Sequence, residues 1–497
     1  MASVMDFKVD QPEEGQTRHG SDHLPICLQV DLNSLLSSLG TRASPIQRTA
    51  RNVVQFDSSI VLSEPTLDSE IRIEEVLFAL RHGSWPEIFK NPPKDMVDTV
   101  AHSCNVLFSG SKPNQVAGLR ILSISDLTKI VSSILHKRLI KWCKRKHILS
   151  NSQICFSGKS SKTDFVYALK AMAGMKLVEK GSKVYSYFVQ FESVSSEILE
   201  TLLWPKLQKL RVSSKIVDFL RFVCKQNHYR DQLLGYFQRG YRGLPALMFA
   251  LYLNDLPDEL RGGLVIGDRQ ISILMHADKM ALLSGSAPGL QDLINQLEDY
   301  CNKWGLVVDM KQSKVVVFRR GGPLSAVEKW NIKGQQIKTT SSALFLDFEF
   351  TSLLSSRQQV RNMISFAKSR LEDFSSESEP WVRLMELYKA QVWGSHTFKE
   401  IDKMQAHFAK KTKSNCYSLN GLALDLHLQY IGKHYFSNNE NSLARFLTHK
   451  VIEKNILWAA QLNDICEPFK LRWRNCLNSE LEWNDFCLNL RSRLEES

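Results

Sequence analysis

The stretch Ile271 to Ser284, ISILMHADKMALLS, sets two apolar runs, Ile271 to Met275 and Ala281 to Leu283, around the tetrapeptide His276-Ala277-Asp278-Lys279. Two short apolar strands about a compact polar segment read as a β-hairpin, which places the tetrapeptide on a tight turn. Upstream, Leu264 to Ile266 and Ile271 to Met275 flank the polar turn Gly267-Asp268-Arg269-Gln270, a second hairpin. Further back, Val184 to Phe191, VYSYFVQF, is β-branched and aromatic and suits a buried strand, after which Glu197 to Leu207 resumes helical spacing. Downstream, Gly289 to Trp304 reads as an amphipathic helix, and Val315 to Phe318 and Ala343 to Phe350 as strands.

Helical periodicity dominates elsewhere. Ile73, Val76, Leu77 and Leu80 fall on one face of a helix that ends near His82-Gly83. Leu127 to Lys146 turns Ile130, Ile134, Leu135, Leu139 and Trp142 inward and its lysines and arginines outward. Leu247 to Leu253 is a helix that Pro257 stops, and the chain from Arg361 onward is mostly helical and rich in Lys, Arg and Trp. Met1 to Arg51 is polar and irregular apart from Leu24 to Val30, which alternates like a strand. No internal repeat is visible. The fold class is α+β.

With 497 residues, 43% of them hydrophobic, the chain can bury substantial cores. Its formal charge of +12 favours a polyanionic partner. Basic residues concentrate in His136 to His147, HKRLIKWCKRKH, and Lys410 to Lys413, interleaved with Trp142 and Phe408 in the manner of nucleic-acid surfaces. Lys141 to Lys146 also suits a nuclear signal. The 10 cysteines include no CxxC pair, which points to reduced thiols rather than to disulfides or a zinc ribbon. The opening MASVMDFKVDQPEEG lacks the apolar core of a signal peptide, and the longest apolar run, Leu244 to Leu253, is too short to span a bilayer. An intracellular protein, nuclear or cytoplasmic and without a membrane partner, is expected.

Taken in order, these segments resemble the reverse transcriptases of non-LTR (LINE-type) retrotransposons, in colinear blocks over residues 70 to 350. Leu119-Arg120 through Ser123-Ile124 is similar to the family's Tyr-Arg-Pro-Ile-Ser-Leu, and Lys129-Ile130, Arg138-Leu139 and Ile148-Leu149-Ser150-Asn151-Ser152-Gln153 follow. Phe156 and Ser160 to Asp164 match the next stretch, although Cys155 and Ser157 stand where the family prefers Gly and Arg. Val184 to Leu207 is similar to Phe-Val-Asp-Phe-Lys-Lys-Ala-Phe-Asp, Gly240 to Pro245 to a shortened Arg-Gln-Gly-Asp-Pro-Leu-Ser-Pro loop, and Phe249 to Pro257 to the helix after it. His276-Ala277-Asp278-Lys279 takes the place of Tyr-Ala-Asp-Asp. Tyr300-Cys301, Trp304-Gly305-Leu306, Asp309 and Ser313-Lys314 continue the match, and Phe345-Leu346 resembles the primer-grip hairpin. Gly20 to Ile26, with Asp22-His23, looks like the last motif of the apurinic-type endonuclease that precedes these polymerases.

The resemblance implies a right-hand polymerase: an endonuclease remnant and linker over 1–50, an N-terminal extension and fingers-like region over 51–182, a palm with an antiparallel sheet over 183–350, and a helical thumb and extension over 351–497. In the family, two magnesium ions about 3.5–4 Å apart drive polymerisation and need carboxylates from two strands. Gln190 stands at the first metal-binding Asp position and Lys279 at the last, so Asp278 alone is retained. A neutral amide is a poor magnesium ligand, and replacing an anion by Lys279 shifts the local charge by about two units. Glu192, on the same strand face, lies roughly 6.5–7 Å too far along to substitute. Ser195 replaces the aromatic residue that excludes a 2′-hydroxyl, Ser196 the motif's second Asp, and Gln312 a lysine near the triphosphate, while Lys314 remains.

The expected function is therefore an inactive reverse-transcriptase-like binder of RNA or RNA–DNA hybrid, through Arg120, Arg138, Lys141, Lys144, Arg145 and Lys146, with no cofactor. Residual RNA-directed DNA polymerase activity, with Mg2+ or Mn2+ at Asp278, is the alternative. A third reading is a protein-interaction scaffold using Trp458, Trp473 and Trp483, tryptophans that the core claims more often than the surface.

Overall fold

The computed structural model describes residues 67, 69–82, 92, 94–109, 124–156, 161–192, 202–225, 244–369, 378–412 and 418–496. The strand at Leu24 to Val30, the Asp22-His23 motif, Arg120, Ser157, Ser195, Ser196 and Gly240 to Gly243 lie outside the described residues.

The central sheet contains β1 (Val184–Gln190), with the small hairpin β2 (Leu264–Ile266) and β3 (Arg269–Ile271) leading into β4 (Ile273–His276) and β5 (Lys279–Ser284). Then come β6 (Lys314–Phe318), the short pair β7 (Asn331–Ile332) and β8 (Gln335–Gln336), β9 (Thr339–Thr340), and the hairpin β10 (Ser342–Phe345) and β11 (Phe348–Thr351). The main sheet runs β4-β5-β1-β6-β9. Its first four strands are antiparallel, but β9 lies parallel to β6, so the sheet is mixed rather than wholly antiparallel.

Both faces of this sheet are covered. Tyr185, Tyr187 and Val189 of β1 point into one apolar core, and Val184 and Phe188 into another. A strand buried on both sides has no polar face, which is why β1 and β4 to β6 read as apolar runs. The first core is built with α1 (Ile73–His82), α2 (Lys94–Phe108) and α3 (Ile124–Arg145). The second takes α4 (Ser161–Leu177), whose residues 165–169 and 171–175 are apolar and buried because the helix packs among β4 and the C-terminal helices.

The short helices α5 (Trp204–Lys209) and α6 (Ser214–Lys225) join the first core, followed by α7 (Leu244–Tyr252) and α8 (Leu256–Glu259). Pro257 opens α8 rather than merely stopping the helix before it, since its missing N–H is harmless in a first turn. The helix α9 (Ala287–Trp304) carries every local signal for its bounds: Ser286 Oγ accepts the Gly289 N–H at 3.2 Å, Pro288 sits in the first turn, and Gly305 closes the end at φ +62°. Its Leu290, Leu293, Ile294, Leu297 and Cys301 line one buried stripe, each leucine worth about 1.5–3 kcal/mol against exposure.

The remaining helices build on the second core: α10 (Arg357–Ser369), α11 (Ser378–Leu387), α12 (Ala390–Trp393), α13 (Lys399–Thr412), α14 (Leu419–Tyr435), α15 (Leu443–Lys454), α16 (Trp458–Cys466) and α17 (Glu480–Glu496). Trp458, Trp473 and Trp483 are 5%, 2% and 1% exposed, which makes them core and removes them as a docking surface.

Two local expectations change. Ala343 to Phe350 is not one strand, because Leu346 and Asp347 both adopt positive φ, +51° and +63°, and fold the segment into β10 and β11. The β2–β3 turn is the two residues Gly267-Asp268, with Arg269 and Gln270 already paired in β3. Among the described residues, no helix is long and apolar enough to cross a membrane.

Candidate functional site

The β4–β5 turn is the two residues Ala277 and Asp278, closed by the pair His276 and Lys279. Ala277 takes φ +56°, a left-handed conformation that a non-glycine residue adopts only when its surroundings impose it. Those surroundings come from far along the chain. The Gln153 side-chain oxygen accepts the Ala277 backbone N–H at 2.9 Å. The backbone beside Gln153 is laced to β4 as well, with Ile154 N–H donating to the Met275 carbonyl and Met275 N–H to that of Ser152, both at 2.8 Å. Asn254, just after α7, fixes the same loop from the other side: its Oδ1 accepts the Ser150 N–H at 2.9 Å and its Nδ2 donates to the Ile148 carbonyl at 2.8 Å. Segments 148–156, 249–257 and 273–284, separate in sequence, thus meet at one end of the sheet.

On the neighbouring strand, Gln190 lies directly opposite Lys279. Residues opposed across a pair, and alternate residues along a strand, share a face. Gln190, Lys279, His276 and Lys314, which pairs with Phe188, therefore lie on the face that also bears Phe188, Ala281 and Leu274. The polar group occupies the end of that face, where the second core stops.

The backbone at Gln190 is firmly held. Its N–H donates to Ser313 Oγ at 3.0 Å and its carbonyl accepts the Asp309 N–H at 2.8 Å. Asp309 in turn organises the approach to β6, its Oδ1 accepting the Lys311 and Gln312 N–H groups at 2.9 and 3.1 Å and its Oδ2 accepting Gln312 Nε2 at 3.0 Å. Gln312 is thus bound within its own exposed loop.

Asp278 keeps some solvent contact but is densely surrounded by protein, and that burial pushes its carboxyl above its ordinary 3.8, against the pull of Lys279 and of its own backbone N–H. Asp347, at the β10–β11 turn, behaves in the opposite way. Burial raises its carboxyl, but Lys162, paired with it at 2.7 Å, outweighs burial, with Lys389 and Lys279 adding to the effect, and holds it below 3.8.

This donor set does not suit magnesium. One carboxylate, an amide and an ammonium fall short of the cage of anionic oxygens that a hard divalent cation requires. Among the described residues, no group of three His, Cys, Asp or Glu side chains could hold a metal ion.

No protein-family model matches the chain, and no curated protein matches it.

The basic helix α3 divides its charges. Lys141, Lys144, Arg145 and Lys146 are exposed near its C-terminal end, as expected. Arg138 is not on that face. It is 5% exposed and bound bidentately by Glu75 of α1, Nε to Oε1 at 2.8 Å and Nη2 to Oε2 at 2.6 Å, while it also donates to the carbonyls of Ser69 and Glu70 at 2.6 and 2.8 Å. Its forked donors lock the α1–α3 contact and are withdrawn from any nucleic acid. Trp142 and Phe408, 9% and 1% exposed, are core residues rather than stacking platforms.

Sequence reasoning did not single out Gln153 or Asn254 as the residues that shape the turn. Both fall within segments that the sequence reading likened to non-LTR reverse transcriptases, but their roles are side-chain bonds to distant backbone, which no local pattern announces.

Proposed function

We propose that the protein is a reverse-transcriptase-like chain derived from a non-LTR retrotransposon, folded as a right-hand polymerase, that has lost catalysis and binds RNA or RNA–DNA hybrid. One observation carries the reading: blocks matched to the family in order along the chain meet around a two-residue turn bearing Asp278, with Gln190 opposite Lys279 on the adjacent strand. That is where a polymerase of this kind would assemble its carboxylates, and the residues at two of the positions cannot serve. The exposed cations Lys141, Lys144, Arg145 and Lys146 and the net charge of +12 supply an electrostatic footprint for a polyanion. The scaffold reading loses the tryptophan surface on which it rested.

Fluorescence anisotropy with labelled RNA and RNA–DNA hybrid, as salt is raised, tests this reading. Binding that weakens steeply with salt is expected, and absence of binding at low salt overturns it.

A further inference from the structure

We infer that the sheet end at Gln190, Lys279 and Lys314 is a metal-independent phosphate site, in which the Lys279 ammonium grips a phosphodiester oxygen of a bound nucleic-acid strand. The inference rests on the nucleic-acid reading above and assigns it a specific contact and ionic mechanism.

The donors lie on one face at one end of the sheet. Lys279 and Lys314 share one face of the sheet, with Gln190 on the strand between them, and both lysines are half-buried. Among the described residues, neither lysine forms an ion pair and the Gln190 carboxamide has no hydrogen-bond partner. Two of the nearby anions are engaged, Asp347 by Lys162 and Asp309 within its own loop. A half-buried ammonium held in no direct ion pair has lost part of its water, and an anion that replaces that water gains accordingly.

The chemistry of the position is thereby inverted. Where a family polymerase would use carboxylates to hold cations that in turn hold phosphates, this chain presents a cation fixed by the sheet register, able to meet the phosphate directly. The strained Ala277 turn fixes the backbone from which Lys279 departs, since Gln153 clamps the turn on the preceding residue pair.

The test is anisotropy of a labelled single-stranded RNA with the full chain, in magnesium and in EDTA at matched ionic strength, for wild type, Lys279→Gln, Lys279→Arg, and Lys180→Gln at the opposite end of β1. Wild-type affinity is expected to be the same in both buffers. Lys279→Gln should bind about five-fold more weakly, with a salt slope shallower by about one phosphate contact, while Lys279→Arg and Lys180→Gln should retain wild-type binding. Circular dichroism melts confirm that the variants fold. If wild type binds RNA but EDTA abolishes binding, or Lys279→Gln changes neither affinity nor slope, the phosphate site is overturned while the nucleic-acid reading survives. If wild type binds no RNA in either buffer, both fall.

Discussion

The carboxamide oxygen of Gln153 accepts the backbone N–H of Ala277 across 124 residues of chain, and this bond holds the turn that carries Asp278. Replacing Gln153 by Leu leaves a buried backbone donor without its partner. A loss of about 1–3 kcal/mol is expected in urea denaturation, with an unchanged m-value. An unchanged midpoint would mean that the turn is held by β4–β5 pairing alone.

Ala277 itself is strained. Glycine reaches φ +56° without steric conflict, so Ala277→Gly should raise stability by roughly 0.5–1 kcal/mol, the strain removed being partly offset by glycine's greater freedom in the unfolded chain. A loss of stability in the same measurement would show that the alanine methyl packs favourably enough to outweigh the backbone conformation.

Arg138 reports on fold rather than on binding. Arg138→Met strands Glu75, whose side chain is 20% exposed, beside apolar surroundings, and about 3 kcal/mol of stability should be lost. The folded fraction should bind RNA as wild type does, because the guanidinium faces α1. Weaker RNA binding at unchanged stability would contradict this placement.

The sequence is legible where its signals are local. The limits of α9 follow from Ser286, Pro288, Gly305 and the apolar stripe, all local signals. Asp278 was expected on a tight turn, and the register sets Gln190 of the neighbouring strand against Lys279, next to Asp278. The hairpin at Leu346-Asp347 was missed because it lacks the Asn or Gly that usually marks positive φ, the buried Leu346 being held there by packing. Arg138 was placed outward by its charge, yet its partner Glu75 lies 63 residues away, beyond the reach of helical periodicity. The Gln153 bond was hidden for the same reason.

Stability should fall with acid. Burial lowers His427 to about 4, with His396 and Lys170 acting in the same direction and the bond to the Gln391 carbonyl opposing, and burial together with Lys137 lowers His136 to about 4. In the unfolded chain both titrate near 6.5, so below that pH the unfolded state binds protons that the folded state refuses. Their contribution is complete above about pH 6.5 and is lost as pH falls toward 4, with a slope of up to about 1.4 kcal/mol per pH unit for each histidine. Urea denaturation between pH 7 and 5 reads that slope, and His427→Asn should make it shallower. A flat profile for wild type would mean that these rings take up protons in the folded protein.

Primer extension on an RNA template by the purified chain, in magnesium and in manganese and with Asp278→Ala alongside, bears most directly on the proposed loss of catalysis. No extension in either metal is the expected result, because Gln190 and Lys279 leave Asp278 without a second carboxylate to share a cation. Extension that Asp278→Ala abolishes would contradict the account and establish a rebuilt active site.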